Sequence, residues 1–278
     1  MKAPREKIMN ARIRSVAQVA LFVAVAFTST PVLAVCPDVT HAALTAALTG
    51  ALGGNGGLSN NMWATIVDRD GVVCLVTKTG AAGAQWPGSR VISAQKANTG
   101  NAFSLPPGQV GGIPGIPGLA LSTANLYSAV QPGGSLYGLQ HSNPVDTAVA
   151  YTGSSGTWGT AADDLVGDKI GGVNVFGGGL ALYTSDDPPV LVGGIGVSGD
   201  TSCTDHIVAW KARHALNLDN VIAGVADGTD NMIFDITGNH GNFKSKSGFG
   251  HPDCDFGEKP IAEALPTSHP VGPAPPAP

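Results

Sequence analysis

The sequence predicts an α+β domain, an antiparallel sheet with helices packed on its faces. Three observations carry this. Apolar runs at 62–67 and 72–77 flank Asp70-Gly71, and runs at 175–183 and 190–197 flank Asp186-Asp187-Pro188-Pro189. Two apolar runs around such turn residues read as a hairpin. Helical stretches precede, separate and follow the two pairs. The resulting order, helix, hairpin, two helices, hairpin, helix, lacks the strand–helix alternation of a parallel sheet.

Taken in order, Asp38 to Leu52 reads as a helix: Asp38 or Thr40 caps it, Ala and Leu fill it, and Gly53-Gly54 stops it. The first hairpin follows. Val91, Ile92, Ala94, Ala97 and Phe103 recur at near-helical spacing within 89–105, where Pro106-Pro107 ends the run. Residues 108–118 are a Gly/Pro loop, and 119–130 reads as a second short helix. From Gln131 to Gly172 the pattern dissolves into Gly, Ser, Asn and Thr. That is long for an ordinary loop, and Tyr137, Tyr151 and Trp158 mark it as an ordered excursion. After the second hairpin, Ser198 to Thr201 leads into a helix reaching about Asn217, and 231–236 reads as one more short strand. Residues 258–278 are rich in Pro and Ala with few large apolar groups, so disorder is expected there.

The first 34 residues have the layout of a secretory signal. Lys2, Arg5, Lys7, Arg12 and Arg14 precede the apolar stretch Val19–Phe27, and Pro31-Val-Leu-Ala34 offers a cleavage site after Ala34. The apolar stretch is far short of the ~20 residues that span a bilayer. A single Ile between Arg12 and Arg14 leaves no twin-arginine signal, so the expected route is Sec-type, to the periplasm or beyond the cell. The full chain carries a net charge of −5. Without residues 1–34 it keeps 10 basic and 19 acidic residues, a net −9. An acidic surface with no basic cluster points away from nucleic acid and anionic membranes.

Cys36, Cys74, Cys203 and Cys254 all follow the expected cleavage site. An even count in an oxidising compartment reads as two disulfides, and no C-x-x-C or C-x-x-C-H suggests redox, zinc or c-type haem chemistry. Four cysteines allow three connectivities. The first helix runs antiparallel to the first strand, which brings Cys36 near the start of the second strand and Cys74. Cys203 starts the last helix and pairs with Cys254, tying down a polar C-terminal segment. The expected pairs are Cys36–Cys74 and Cys203–Cys254.

Gly194-Ile-Gly-Val-Ser-Gly199 matches G-x-G-x-x-G, with Asp219 about twenty residues on. Hairpins rather than βαβ units surround it, so a dinucleotide fold is not supported; the glycines let this strand end approach a backbone or ligand closely. There is no G-x-S-x-G and no H-E-x-x-H. His206 and His214 lie two turns apart on one helix, too far to chelate one ion together. Each is either a single iron ligand or an ordinary histidine, and the same holds for His41 and for His141 in the excursion. His240, His251 and His269 fall in the C-terminal region.

Four stretches together resemble the GlcG/HbpS-like haem-binding family, relatives of the PduO C-terminal domain. They are ATIVDRDG at 64–71, SAQKANT at 93–99, GGGLAL at 177–182 and VGGIGVSG at 192–199 followed by Asp205. The resemblance runs from about 38 to 217. It implies a profilin-like α/β/α layout with a five-strand antiparallel sheet, a tendency to homo-oligomers, and haem binding, linked in some members to storage, transfer, sensing or degradation. Ala181 stands where the family has proline, the excursion 131–172 is long, and the chain beyond 217 is extra. The domain plan is therefore a signal peptide at 1–34, the family domain at 35–217, a docked extension at 218–257 and a disordered tail at 258–278.

A porphyrin needs an apolar slot, an axial donor and groups for its propionates. The expected cofactor residues are Lys96 and Thr99 from the second stretch and Gly178, Gly179, Gly196, Ser198 and Gly199 from the strand ends. His141, His206 and His214 are the possible axial ligands. Two readings of Lys96 stay open: it meets a carboxylate of the ligand, or an acid within the fold. An enzyme on another small molecule and a structural module with a vestigial pocket remain the alternatives; no catalytic residue is assigned.

Overall fold

The computed structural model describes residues 35–108, 117–238 and 243–272. The expected signal segment 1–34 lies outside these, as do 109–116, 239–242, which holds His240, and 273–278.

Thr40 opens α1, His41–Ala51, its Oγ1 accepting from the Ala43 amide at 3.1 Å. Leu44, Leu48 and Ala51 share the buried face of that helix. Strands β1, Trp63–Asp68, and β2, Val73–Lys78, pair antiparallel. Their turn is built by Asp68, whose Oδ1 accepts from the amides of Asp70 and Val72 at 2.9 Å each. Helix α2 spans Ser89–Ala102. The excursion holds two single-turn helices, α3, Leu139–Ser142, and α4, Thr147–Ala150. It is fastened by a buried bidentate pair: Arg90 reaches Asp163 through Nε at 3.0 Å and Nη2 at 2.5 Å, with the guanidinium 4.7 Å from the Trp158 ring. Strands β3, Gly179–Tyr183, and β4, Leu191–Ser198, form the second hairpin, and α5, Ser202–Ala215, is capped by Thr201. Strands β5, Ile236–Thr237, and β6, Lys244–Ser245, make a separate small ribbon before α6, Lys259–Ser268.

The main sheet runs β2-β1-β4-β3, antiparallel throughout. Alternation sorts its side chains into two faces. Ala64, Ile66, Ile195 and Val197 pack with Leu44, Leu48, Ile207 and Val208 of α1 and α5. The opposite face carries Thr65, Gly194 and Gly196 and receives α2: Thr65 Oγ1 lies 2.7 Å from Ser93 Oγ. A Cβ on Gly196 would sit 1.9 Å from the Ser93 carbonyl oxygen, and one on Gly194 2.3 Å from that of Ala97. The approach is reciprocal, since a Cβ on Gly100 of α2 would meet the Leu180 backbone at 2.9 Å. Only strand positions without side chains allow a helix backbone this close.

Four expectations need correction. The main sheet has four strands among the described residues, not five. Irregular chain occupies both edges instead. Asp168 and Gly167 of the excursion bond Val73, while Thr123 bonds Gly179 and Leu218 bonds Tyr183. Residues 119–130 are not a helix but an extended start followed by two 3-10 turns, Ala124–Leu126 and Ser128–Val130. There Ser122 and Asn125 cap each other's amides at 3.0 and 3.3 Å, offering the backbone an alternative to helical bonds. The expected strand over 231–236 contributes only its last residue to β5. The expected disordered tail from 258 contains α6: Ala262 and Leu265, three apart, are fully buried against α5, a stripe too short for composition to register.

The two disulfides join Cys36 to Cys74 and Cys203 to Cys254, with Cα separations of 5.7 and 6.1 Å. The second ties the start of α5 to the extension.

Gly196→Ala is expected to force α2 off the sheet and cost roughly 3 kcal/mol. Gly50→Ala, where an added Cβ meets nothing within 4 Å on α1, should gain up to ~1 kcal/mol. Urea denaturation of both variants measures the contrast; equal effects would contradict the close packing of α2.

Candidate functional site

Of the seven expected cofactor residues, Lys96, Gly178, Gly179 and Gly196 meet in a packed seam, while Thr99, Ser198 and Gly199 are held by other neighbours. Thr99 Oγ1 donates to the Gln95 carbonyl at 2.7 Å and accepts from the Asn174 amide at 3.0 Å, pinning the approach to β3. A Cβ on Gly179 would lie 2.3 Å from the Lys96 carbonyl oxygen. Ser198 is buried opposite Trp63, and a Cβ on Gly199 would meet the Asn61 carbonyl oxygen at 2.8 Å. These contacts are protein against protein among the described residues.

Lys96 settles between its two readings in favour of the fold. Its Nζ is fully buried, donates to Asp205 Oδ2 at 2.6 Å and to the Val197 carbonyl at 3.0 Å, and lies 4.7 Å from the Phe176 ring centre. The side chain passes from α2 around the sheet to α5 at Gly178. That residue takes φ +117°, and a Cβ there would stand 2.9 Å from Nζ. The other oxygen of Asp205 accepts from the Asp200 amide at 2.9 Å. Burial holds the ammonium below its ordinary value and pushes the carboxyl up to about 6, while their mutual attraction opposes both shifts.

The histidines separate clearly. His141 is exposed on α3 and makes no hydrogen bond among the described residues. His206 is fully buried: one ring nitrogen lies 3.2 Å from Asn231 Oδ1, the other has no partner, and burial brings it down to about 4. No ligand reaches it. His41 bridges the Val76 and Gly159 carbonyls at 3.1 and 3.2 Å, closing the β2 edge.

His214 is different. It ends α5 half-buried, and its Nδ1 lies 2.6 Å from Asp219 Oδ2. Asn217, in the left-handed region at φ +53°, turns the chain back to bring Asp219 there. A carboxylate at one ring nitrogen is the arrangement that orients metal-binding histidines. The ring borders a groove of about 260 Å³ between α1 and α5. Ala46, Ala47, Gly50 and Ala51 make a flat floor, and Lys211 and His269 complete the rim. Burial holds the His269 ring below its ordinary value, favouring the neutral form.

Two clefts are larger but chemically poorer. One of about 470 Å³ follows the loop 53–61 beside Asp200, whose carboxylate is already bonded to the amides of Leu58, Asn60 and Thr201. Another of about 540 Å³ lies between 225–234 and α6, and no imidazole lines it. Chemistry therefore outranks size in choosing the α1–α5 groove. Sequence reading found His214 but missed Lys211 and His269. The pairing of His214 with an acid five residues on was the available signal; His269 offered none from within a Pro-rich run.

Two outcomes follow. Lys96→Met, which strands the Asp205 carboxylate, is expected to cost about 3–5 kcal/mol in urea denaturation, and Lys96→Met with Asp205→Leu to recover most of it; a neutral single exchange would contradict the tie. The second concerns pH. His206 and His251 both sit at about 4 when folded, against about 6.5 unfolded. Their contribution is complete above pH 6.5 and lost as pH falls towards 4. Asp205, raised to about 6, works oppositely over the same window. Two against one leaves a net loss on the order of 3 kcal/mol between pH 6.5 and 4. His251→Gln should flatten the profile; an unchanged slope would contradict the assignment.

Residues 39–214 match the family model described as haem degrading protein HbpS-like. Solved structures similar to the chain include Klebsiella pneumoniae protein ORFY, at 24% identity over 64% of this chain and 89% of that one, TM-score 0.39. The PduOC–haem complex is 22% identical over 66% of this chain and 97% of its own, TM-score 0.43. A double mutant of Streptomyces reticuli HbpS is 16% identical over 73% and 99%, TM-score 0.37. No curated protein matches the chain. With more than half its length matched by that family model, this chain belongs to the HbpS-like family.

Proposed function

We propose that this is an exported haem-binding protein whose iron ligand is His214. The observation that carries the reading is the imidazole of His214, held through Nδ1 by Asp219 at the border of a groove floored by Ala and Gly. The donor set fits the group. A histidine with a carboxylate behind it is a strong iron ligand, the Ala/Gly floor accepts a flat apolar face, and Lys211 stands at the rim for a propionate. Haem, when bound, supplies the iron chemistry; the chain orients it and sets its exposure. Membership of a family described as haem degrading supports the same ligand. The N-terminal layout and two disulfides support export. A groove this shallow leaves much of a porphyrin open to a partner, which favours capture and transfer over enclosed degradation.

Hemin titrated into the chain lacking residues 1–34 should give a saturable Soret shift at micromolar protein. Gly50→Phe, which fills the floor, and His214→Ala should each weaken binding at least tenfold, about 1.4 kcal/mol. Wild-type affinity in both variants would overturn the site, and no saturable shift in the parent would overturn the ligand.

A further inference from the structure

We propose that Cys203, His251 and Cys254 form a zinc site that the disulfide keeps closed: with the bond reduced, the two thiolates and the imidazole hold one Zn²⁺. The site stands apart from the α1–α5 groove, at the opposite end of α5. His251 and Cys254 lie beyond the family-matched residues 39–214, so the extension supplies two of the three ligands.

Both sulfurs and one ring nitrogen of His251 lie within 4.8 Å of one another. Ligands on one tetrahedral zinc, bonded at ~2.0–2.3 Å, stand roughly 3.5–3.8 Å apart, so side-chain rotations complete the set once the sulfurs part. His251-Pro-Asp-Cys254 has the two-residue spacing of zinc-chelating pairs. Cys203 comes from the first turn of α5.

The imidazole is already oriented. It is buried, its backbone amide donates to the Ile233 carbonyl at 2.8 Å, and the Tyr127 ring packs on it with centres 5.1 Å apart. Nδ1 lies 2.7 Å from the Pro252 carbonyl oxygen, which can only accept, so Nδ1 carries the proton and Nε2 the lone pair. A backbone carbonyl at the second nitrogen is what fixes the ring of a metal-binding histidine. The Ser202 hydroxyl, 3.1 Å from Nε2 and 3.6 Å from Cys254 Sγ, touches both, at the place an ion joining them would take. Cys254 Sγ also accepts from the Cys203 amide at 3.3 Å, at the start of α5, where a thiolate is favoured. A hollow of about 180 Å³ lined by His251, Asp253 and Lys259 gives an ion a way in. The other disulfide has Asp68 beside it, and that carboxylate already caps the β1–β2 turn.

The chemistry balances. A dithiol reductant gives two electrons and two protons to the Cys203–Cys254 bond and becomes a disulfide itself, and Zn²⁺ then displaces the two thiol protons. With zinc in place the extension stays tied to α5 while the bond is open.

The test uses the chain after residue 34, oxidised and after reduction by a phosphine, with Zn²⁺ as the probe and Co²⁺ as its spectroscopic stand-in. The reduced parent should show a thiolate-to-cobalt charge-transfer band at one ion per chain, discharged by zinc, and the oxidised parent should show none. His251→Gln should weaken zinc binding to the reduced chain by at least about a hundredfold, more than the loss of a supporting residue causes. His251→Cys, which brings a third thiolate, should keep it. Melting of the oxidised variants checks that both fold, and zinc should raise the melting temperature of the reduced parent but not of reduced His251→Gln. A reduced parent that takes no zinc overturns the site. So does equal affinity in His251→Gln, which would mean that any dithiol in the chain suffices.

Discussion

The close seat of α2 on the side-chain-free positions Gly194 and Gly196 of β4 is the constraint from which the rest follows. Gly194 and Gly196 bring strand and helix backbones into direct contact, and Gly100 does the same from the helix side. Such contact buries polar backbone atoms that already have partners within the helix and sheet, so the approach gains dispersion without stranding a donor. It also fixes where α2 stops and therefore where Lys96 emerges. From there the ammonium reaches around the sheet at Gly178 to Asp205 on α5. One buried ion pair thus couples the two helical layers, and pairs of this kind are costly to break from one side.

The candidate site lies at the other end of α5. Because α5 is held at its N-terminus by Lys96–Asp205 and by Cys203–Cys254, its last turn meets α1 at a fixed place. Arg213 is buried against Asp230 at 2.7 and 2.8 Å, which turns the next residue, His214, outward to the groove. The small residues of α1 leave that groove flat, and the returning chain supplies Asp219 behind the ring. The residues that hold α5 in place and those that border the groove are therefore different sets on the same helix.

Much of this was legible in the sequence. Asp70-Gly71 marked the first hairpin, and the cysteines' positions relative to the elements implied the observed bonds. The glycine motif was visible too, but its role was not. A glycine that admits a ligand and one that admits a neighbouring helix have the same one-letter signature, and only the position of α2 separates them. Lys96 was ambiguous for the same reason, since the partner acid lies 109 residues away. The fifth strand that the resemblance implied is absent from the main sheet among the described residues, because its edges are filled by single bonds from loops. Helix α6 was missed because two buried residues, Ala262 and Leu265, suffice to dock it when a disulfide and Trp210 already hold its surroundings.

Crystals grown with hemin and measured at the iron absorption edge locate the metal directly. An anomalous peak within coordinating distance of His214 Nε2, in the α1–α5 groove, is the predicted result. A peak against the seam of Lys96, Gly178 and Gly196, or in the cleft beside 225–234, would contradict the account.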